Sequence, residues 1–521
     1  MPGYVLGNFF IYSLINAFTP GPGNILALNT VTNYGYKKGR PLFWGIFAGY
    51  YVVQIICAVF VFGVSTLLPN MLGMMKYIGA AYILWLAVHI ALSKPATDDV
   101  EKLASFMKGF LLQFVNVKIY LFGITALTGY VTDYSASLWV LLLFEIIIAT
   151  IGTMATPTMH TEEQQYIQKA FETNWIAPLG PDVDEFEDKV AAYVGASSCA
   201  ALSSGTAALH LSVVLAGVKE NDIVFVPSLT FAASVNPVRY EKAIPVFIDS
   251  ERDTWNMDAA ALRKAFEKYP HPAAVMAVHL YGTSANMDEI CAICREHNVP
   301  LIEDAAESLG TTYKGKMTGT FGDYGIYSFN GNKIITTSGG GILVAKQEKD
   351  VVKARFLSKQ ARDPARHYQH STIGYNYRMS NIVAGIGCGQ MQHLDEHIER
   401  KHKIYKMYKE AFSDIKEIEM NPLNKEGIDN NWLSCMTISP DSDVTPTQVM
   451  DALEAENIET RPIWKPMHLQ PVFEEYDFIQ VENGLSVSED IFNRGLCLPS
   501  DIKNTKEDME RIIKIVRKQF R

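Results

Sequence analysis

One lysine stands out by its surroundings. Lys333 lies within Ser328-Phe329-Asn330-Gly331-Asn332-Lys333-Ile334-Ile335-Thr336-Thr337-Ser338-Gly339-Gly340-Gly341, small and polar residues between a strand-like run and three consecutive glycines. A lysine kept neutral by apolar or cationic neighbours forms a Schiff base with an aldehyde. Glycines, lacking Cβ, let backbone approach a flat ligand closely. Two further segments carry complementary chemistry. Ser203-Ser204-Gly205-Thr206-Ala207-Ala208 opens a helix after an apolar run, and free N–H groups at the positive end of a helix dipole attract phosphate. A plain Ser N-cap explains the same residues. Ile302-Glu303-Asp304-Ala305-Ala306-Glu307 ends a strand with two adjacent acids, and because side chains alternate along a strand, Glu303 and Asp304 must face opposite ways. A carboxylate at the C-terminal end of such a strand is where open α/β sheets hold ligands, although an N-cap aspartate reads alike.

An amine for an aldehyde, a phosphate cradle and a carboxylate for a pyridinium nitrogen together meet the requirements of pyridoxal 5'-phosphate. Cys291 and Cys294 form a CxxC on one face of an amphipathic helix with no second pair nearby, so no metal site is expected. His367, Tyr368 and His370 lie in a polar stretch that suits substrate contact and solvation equally.

These residues need a scaffold that brings strand ends together. From about Ala155 onward, apolar runs at Ile223 to Val226, Ile244 to Ile248, Ala274 to Val278, Pro300 to Ile302 and Gly325 to Phe329 alternate with helical stretches at Thr206 to Leu215, Asp258 to Lys268 and Met287 to Glu296. That alternation predicts an α/β fold with a mostly parallel sheet covered on both faces. After about Lys401 the composition becomes more charged and ends in a helix near Lys506 to Arg521, so residues 154–400 are expected to form a large α/β domain and 401–521 a smaller C-terminal one.

The first part of the 521-residue chain is a different material. The formal net charge of −10 argues against a nucleic-acid partner, but it is unevenly spread: eight Lys and Arg face five Asp and Glu up to Met154, against 38 and 51 beyond. Apolar stretches at Tyr4 to Leu28, Pro41 to Leu68, Leu72 to Leu92, Phe106 to Val131 and Ser137 to Thr153 are each long enough, or nearly so, to cross a hydrocarbon core as a helix of about 20 residues. Residues 1–153 are therefore expected to form an α-helical membrane bundle of about five spans in contact with lipid. Lys37, Lys38 and Arg40, then Lys94 and Lys102, occupy alternate connections, which orients everything after Met154 to the cytoplasmic side of the inner membrane. Thr19-Pro20-Gly21-Pro22-Gly23-Asn24 breaks the first span, and Asn116-Val117-Lys118 puts a charge in the fourth. Such features mark either a functional path or a kinked helix with a snorkelling lysine.

At these last two motifs residues 1–153 resemble the LysE/RhtB family of amino-acid exporters. They depart from it in having Val117 where the family has proline and in lacking a sixth span. The remainder, from about Pro157, strongly resembles the DegT/DnrJ/EryC1/StrS family of sugar aminotransferases, most closely the bacillosamine-pathway transaminases. The motifs are Asn174-Trp175-Ile176-Ala177-Pro178-Leu179-Gly180, Pro227-Ser228-Leu229-Thr230-Phe231, His279-Leu280-Tyr281-Gly282, Gly374-Tyr375-Asn376-Tyr377-Arg378 and Glu459-Thr460-Arg461-Pro462-Ile463-Trp464.

The resemblance implies a fold-type I transferase of the aspartate aminotransferase kind that works as a homodimer. By that resemblance Lys333 joins the cofactor, Asp304 partners the pyridine nitrogen and Phe231 stacks on the ring. Gly205, Thr206 and Ser328 hold the phosphate, and Asn376 reaches the phosphate of a neighbouring subunit. Trp175, Ile176, Glu307, His367, Arg461 and Trp464 fall at substrate-side positions, Glu307 standing where many relatives have histidine. The implied reaction moves an amino group from glutamate, leaving 2-oxoglutarate, to the 4-keto carbon of a nucleotide sugar. Related dehydratases carry histidine in place of the lysine, so Lys333 favours transamination. The competing reading is an exporter with the enzyme as fused passenger.

Overall fold

A computed structural model describes residues 158–481 and 484–520, and in the first part only 45–46, 48–58 and 107. The chain divides into two compact units, Met1–Thr156 and Pro157–Arg521. In the first unit the described stretch, which falls inside the expected second span, is helical. The other expected spans, apart from Met107, and the residues around Pro20 and Lys118 lie outside the described residues. Among the described residues no helix is long and apolar enough to cross a membrane.

The second unit is built on an eight-stranded sheet of order β1-β9-β8-β5-β4-β2-β3-β14. Its strands are β1 (Cys199–Leu202), β2 (Ile223–Pro227), β3 (Ile244–Ile248), β4 (Ala274–Val278), β5 (Leu301–Asp304), β8 (Tyr324–Ser328), β9 (Gly341–Ala345) and β14 (Phe478–Ile479). Every pairing from β8 to β14 is parallel, and β9 runs antiparallel to both β1 and β8. A strand buried on both faces reads as an unbroken apolar run, which is why all five residues of Ala274–Val278 are buried. Alternation still sorts the two faces: Val224 and Val226 enter one core cluster while Phe225 enters the other, edge-on to Phe266 at 5.0 Å between ring centroids.

Helices connect the parallel strands, and two of the helix starts carry side-chain caps. Asp258 accepts the Ala260 N–H at 2.7 Å to open Ala259–Lys268, and Ser204 accepts the Ala207 N–H at 3.0 Å to open Gly205–Leu215. A hairpin of β6 (Thr312–Tyr313) and β7 (Lys316–Met317) pairs with β11 (Gly427–Ile428). A second sheet of order β10-β12-β15-β13 comprises β10 (Ile418–Met420), β12 (Cys435–Ile438), β15 (Gly495–Cys497) and β13 (Arg461–Pro462). Position 401, where the sequence suggests a new domain, falls inside the helix Leu394–Ala411. The shift in charge there coincides with the exposed face of that helix.

The expected strand at Pro300 to Ile302 is displaced to Leu301–Asp304. It continues into two acids because both carboxylates find partners inside the fold. Since β2, β4, β5 and β8 are parallel, the residues that leave their C-terminal ends, 228–231, 279–282, 305–307 and 329–333, emerge along one edge of the sheet.

Candidate active site

The alternation of Glu303 and Asp304 gives them separate environments. Glu303, fully buried, accepts the Gly319 N–H at 2.8 Å and the Gly322 N–H at 2.6 Å. It also lies 3.0 Å from His279 Nε2. Because the Ala285 N–H donates to His279 Nδ1 at 3.1 Å, the ring proton is on Nε2 and is donated to Glu303. Both carboxylate oxygens of Glu303 are thus turned toward structure. Asp304 points the other way: Ser234 Oγ donates to Oδ2 at 2.7 Å, and the Ala306 N–H donates to Oδ1 at 3.1 Å. Burial pushes the Asp304 carboxyl above its usual range, opposed by those two hydrogen bonds and by the charge of Lys333.

Lys333 follows β8 by a short turn. Its Nζ lies 3.2 Å from Glu307 Oε1 and 4.2 Å from the centroid of the Trp432 ring. Glu307 is 5 % exposed and also accepts the Tyr281 N–H at 2.9 Å. Burial pushes its carboxyl up as well, the Lys333 charge opposing. Tyr281 sits at φ 54°, a left-handed conformation that costs an ordinary residue on the order of 1–3 kcal/mol. That conformation aims its N–H at Glu307.

The segment 430–432, which carries no sequence signal of its own, ties these turns together. Asn430 Nδ2 donates to the Glu307 and Leu309 carbonyls, each at 2.9 Å, and Trp432 Nε1 donates to the Asn332 carbonyl at 2.8 Å. Asn430, Trp432, Tyr281 and Ser234 are site residues to which sequence reasoning gives no role; only Tyr281 falls in a quoted motif.

At the other end of the site, a Cβ added to Gly205 would meet Ser328 Cβ at 2.9 Å and Oγ at 3.0 Å. A Cβ on Gly341 would meet the Ser204 backbone at 2.4 Å. The start of the helix Gly205–Leu215 therefore lies against Ser328 only because position 205 has no side chain. Thr206 follows in the first turn. An aromatic wall closes one side. Phe231, 58 % exposed, lies 5.4 Å between centroids from Trp464, which lies 5.1 Å from Tyr281.

The structure thus gathers Lys333, Asp304, Glu307, Gly205, Thr206, Ser328, Phe231 and Trp464 at the strand ends. The other expected residues are exposed in this chain. Trp175 and Ile176 are 44 % and 45 % exposed, and Asn376 is exposed in a bridge to Lys359. His367 bonds Gln369 at 3.1 Å, and the exposed Arg461 pairs with Glu459. No hydrogen bond or ion pair among the described residues joins any of these five to Lys333 or Asp304.

Burial pushes the Cys291 and Cys294 thiols up to about 11 and about 12. Among the described residues no group of three or more His, Cys, Asp or Glu is arranged to hold a metal ion.

The geometry fits a phosphorylated pyridine aldehyde: a helix start that closes on Ser328 where position 205 has no side chain, a part-buried amine, a buried carboxylate and an exposed aromatic face. Comparison with known proteins agrees. Residues 157–517 match the DegT/DnrJ/EryC1/StrS aminotransferase family, and residues 14–170 match the LysE type translocator family. A Bacillus subtilis protein named as a pyridoxal phosphate-dependent aminotransferase, EpsN, is 52 % identical over 70 % of this chain and 94 % of its own length. GDP-perosamine synthase of Caulobacter vibrioides is 37 % identical over 69 % of this chain and 96 % of its own length. The crystal structure of a DegT/DnrJ/EryC1/StrS aminotransferase from Brucella abortus superimposes with a TM-score of 0.64 at 29 % identity, covering 69 % of this chain and 95 % of that one. From Pro157 onward the chain belongs to the DegT/DnrJ/EryC1/StrS aminotransferase family and has its fold-type I architecture, with pyridoxal 5'-phosphate as cofactor, and a LysE-type segment precedes it.

Proposed function

We propose that this chain transfers the amino group of glutamate to the 4-keto carbon of a nucleotide-linked 4-keto-6-deoxy sugar. The first candidate is UDP-2-acetamido-2,6-dideoxy-4-keto-hexose. The observation that carries the reading is the Lys333 amine, paired with Glu307 at 3.2 Å at the same sheet edge as the buried Asp304 carboxylate. When bound, the cofactor supplies a carbonyl carbon that accepts nitrogen and a ring that withdraws electrons from the substrate carbon. Asp304, held by Ser234 and the Ala306 N–H, keeps a negative charge against the ring nitrogen. Lys333 Nζ carries the proton that leaves the amino donor's carbon and returns it as the sugar carbon is aminated. Gly205, Thr206 and Ser328 hold the phosphate at the helix start, and Phe231 covers one face of the ring.

The exposure of Trp175, Ile176 and Asn376 fits a homodimer. A second copy would cover the exposed Trp175 and Ile176, and its Asn376 would extend to the phosphate. Glu307, His367, Arg461 and Trp464 are assigned to the substrate side. Residues 1–153 are proposed as a bundle of about five membrane helices that tethers the large domain 154–400 and the smaller 401–521 to the cytoplasmic face of the inner membrane. The LysE match favours a second reading, in which the first part exports an amino acid and the enzyme is its passenger. Efflux of labelled amino acids from proteoliposomes supports that reading, and its absence supports the tether.

The reaction itself is tested with purified protein, glutamate and UDP-, dTDP- and GDP-linked 4-keto-6-deoxy sugars. Amination of the UDP-linked N-acetylated sugar is expected. Turnover confined to the GDP form, which the similarity to a GDP-perosamine synthase favours, replaces the nucleotide. No turnover on any 4-keto sugar refutes the reading.

A further inference from the structure

Phe231 and Trp464 come from separate parts of the chain, yet their rings meet at 5.4 Å. Each is joined to one part-buried hydrogen-bonded cluster. Ser228, fully buried just beyond β2 and three residues before Phe231, places its Oγ 2.6 Å from His468 Nδ1. His468 lies four residues after Trp464, and its Nε2 lies 3.1 Å from Glu489 Oε1. The Met467 N–H donates to the Ser228 carbonyl at 2.7 Å.

The imidazole is fixed from every side. Its plane stacks on Phe478 at 3.8 Å between centroids and 9° between planes. Glu489 sits in the first turn of the helix Val487–Arg494, whose Val487 and Ser488 N–H groups donate to Asp249, each at 3.0 Å. Because Nε2 faces a carboxylate, it carries the proton, which leaves Nδ1 to accept from the Ser228 hydroxyl. The Ser–His–carboxylate order is that of a hydrolase triad, but a serine with no exposed surface cannot attack a substrate. The same three groups can instead hold two loops at fixed separation.

We infer that His468 is a positioning residue: through its Nδ1 bond to Ser228 it fixes the segment bearing Trp464 against the turn bearing Phe231, and so sets the aromatic wall against which cofactor ring and sugar are held. Neither His468 nor Glu489 touches the reacting atoms. The inference rests on Phe231 facing the cofactor ring, as proposed above.

Two amide substitutions separate the two ends of the imidazole. His468→Asn puts an amide near the position of Nδ1 and retains the Ser228 contact. His468→Gln extends to the position of Nε2 and retains only the Glu489 contact. The first readout is the dissociation constant of the apoprotein for pyridoxal 5'-phosphate, followed by quenching of tryptophan emission. The second is the split between KM for the keto sugar and kcat. Loss of a buried hydrogen bond that orders two loops is expected to weaken cofactor binding and raise KM on the order of tenfold in His468→Gln and His468→Ala. His468→Asn should stay within about twofold of the parent, and kcat should change least in all three.

Thermal unfolding midpoints, compared with that of Glu489→Ala, show whether a variant has lost its fold rather than its wall. If His468→Asn and His468→Gln behave alike in cofactor affinity and KM, the positioning role is wrong. Phe231→Ala distinguishes the two levels of the argument. If it leaves cofactor affinity unchanged, the assignment of Phe231 fails. If it weakens binding while no His468 variant does, only the role of His468 fails.

Discussion

Replacing Glu303 by glutamine is expected to destabilise the fold, whereas Asp304→Asn, one residue along the same strand, is expected to leave the fold and remove the chemistry. The difference follows from their partners. Glu303 Oε1 accepts the Gly322 N–H, while Oε2 accepts the Gly319 N–H and the His279 Nε2–H. All three partners are donors, so an amide NH2 in place of Oε1 orphans one of them and in place of Oε2 orphans two. Even the gentler orientation loses one buried hydrogen bond and the charge that strengthened the others, about 3 kcal/mol in all. Against a typical stability of about 5–15 kcal/mol that is a large fraction, and the thermal midpoint should fall by several degrees. Asp304→Asn strands nothing, because its amide oxygen still accepts the Ala306 N–H and its NH2 can donate to the Ser234 hydroxyl, which accepts as readily as it donates. Its midpoint should stay near the parent's, while formation of labelled amino sugar from glutamate falls by about a hundredfold or more, the scale of removing one preorganised electrostatic partner. Melting curves and a fixed-time amination assay on both variants decide the matter. Equal destabilisation by the two amides, or loss of activity in Glu303→Gln without loss of stability, refutes the division of roles.

Other outcomes follow from the same geometry. Gly205→Ala puts a Cβ 2.9 Å from Ser328 Cβ, so cofactor affinity measured by titration of the apoprotein should fall on the order of tenfold while the circular dichroism spectrum is retained; unchanged affinity would remove the phosphate from this end of the site. The Lys401 amine donates to the Trp432 carbonyl at 2.9 Å and the Ser500 carbonyl at 2.5 Å, and burial pushes it down to about 8. Between about pH 8 and the pH near 10.5 where an unfolded lysine titrates, the unfolded chain binds the extra proton, so this group's contribution to stability rises with pH across that window. The parent should gain on Lys401→Met by no more than about 3 kcal/mol over the same range, read from paired melting curves; a difference that is flat with pH contradicts the burial of the amine.

Much of the scaffold was legible because a parallel sheet covered on both faces demands apolar runs. Ile244–Ile248 and Ala274–Val278 coincide with the expected strands, and Gly205–Leu215 starts one residue before the expected helix, with Ser204 as its cap. The pairing of β1 with β9 could not be read, since the two strands meet antiparallel across a gap of more than a hundred residues. At the site, opposite facing of Glu303 and Asp304 could be read from strand alternation alone. The partners of Lys333 could not. Trp432 lies 99 positions from Lys333, and Ser234 reaches Asp304 across 70 positions; both approaches are products of tertiary packing with no local spacing to reveal them. Glu307 could be read as a carboxylate near the site, but its other oxygen is held by the N–H of Tyr281, whose left-handed conformation a tyrosine in sequence does not suggest.

The account depends most directly on where the cofactor is joined. Reduction of the reconstituted full-length protein with borohydride, followed by peptide mass analysis, should fix the vitamin B6 carbon on the Lys333 amine, with none fixed in Lys333→Ala. Label on a different lysine, or a parent protein that takes up none, would contradict it.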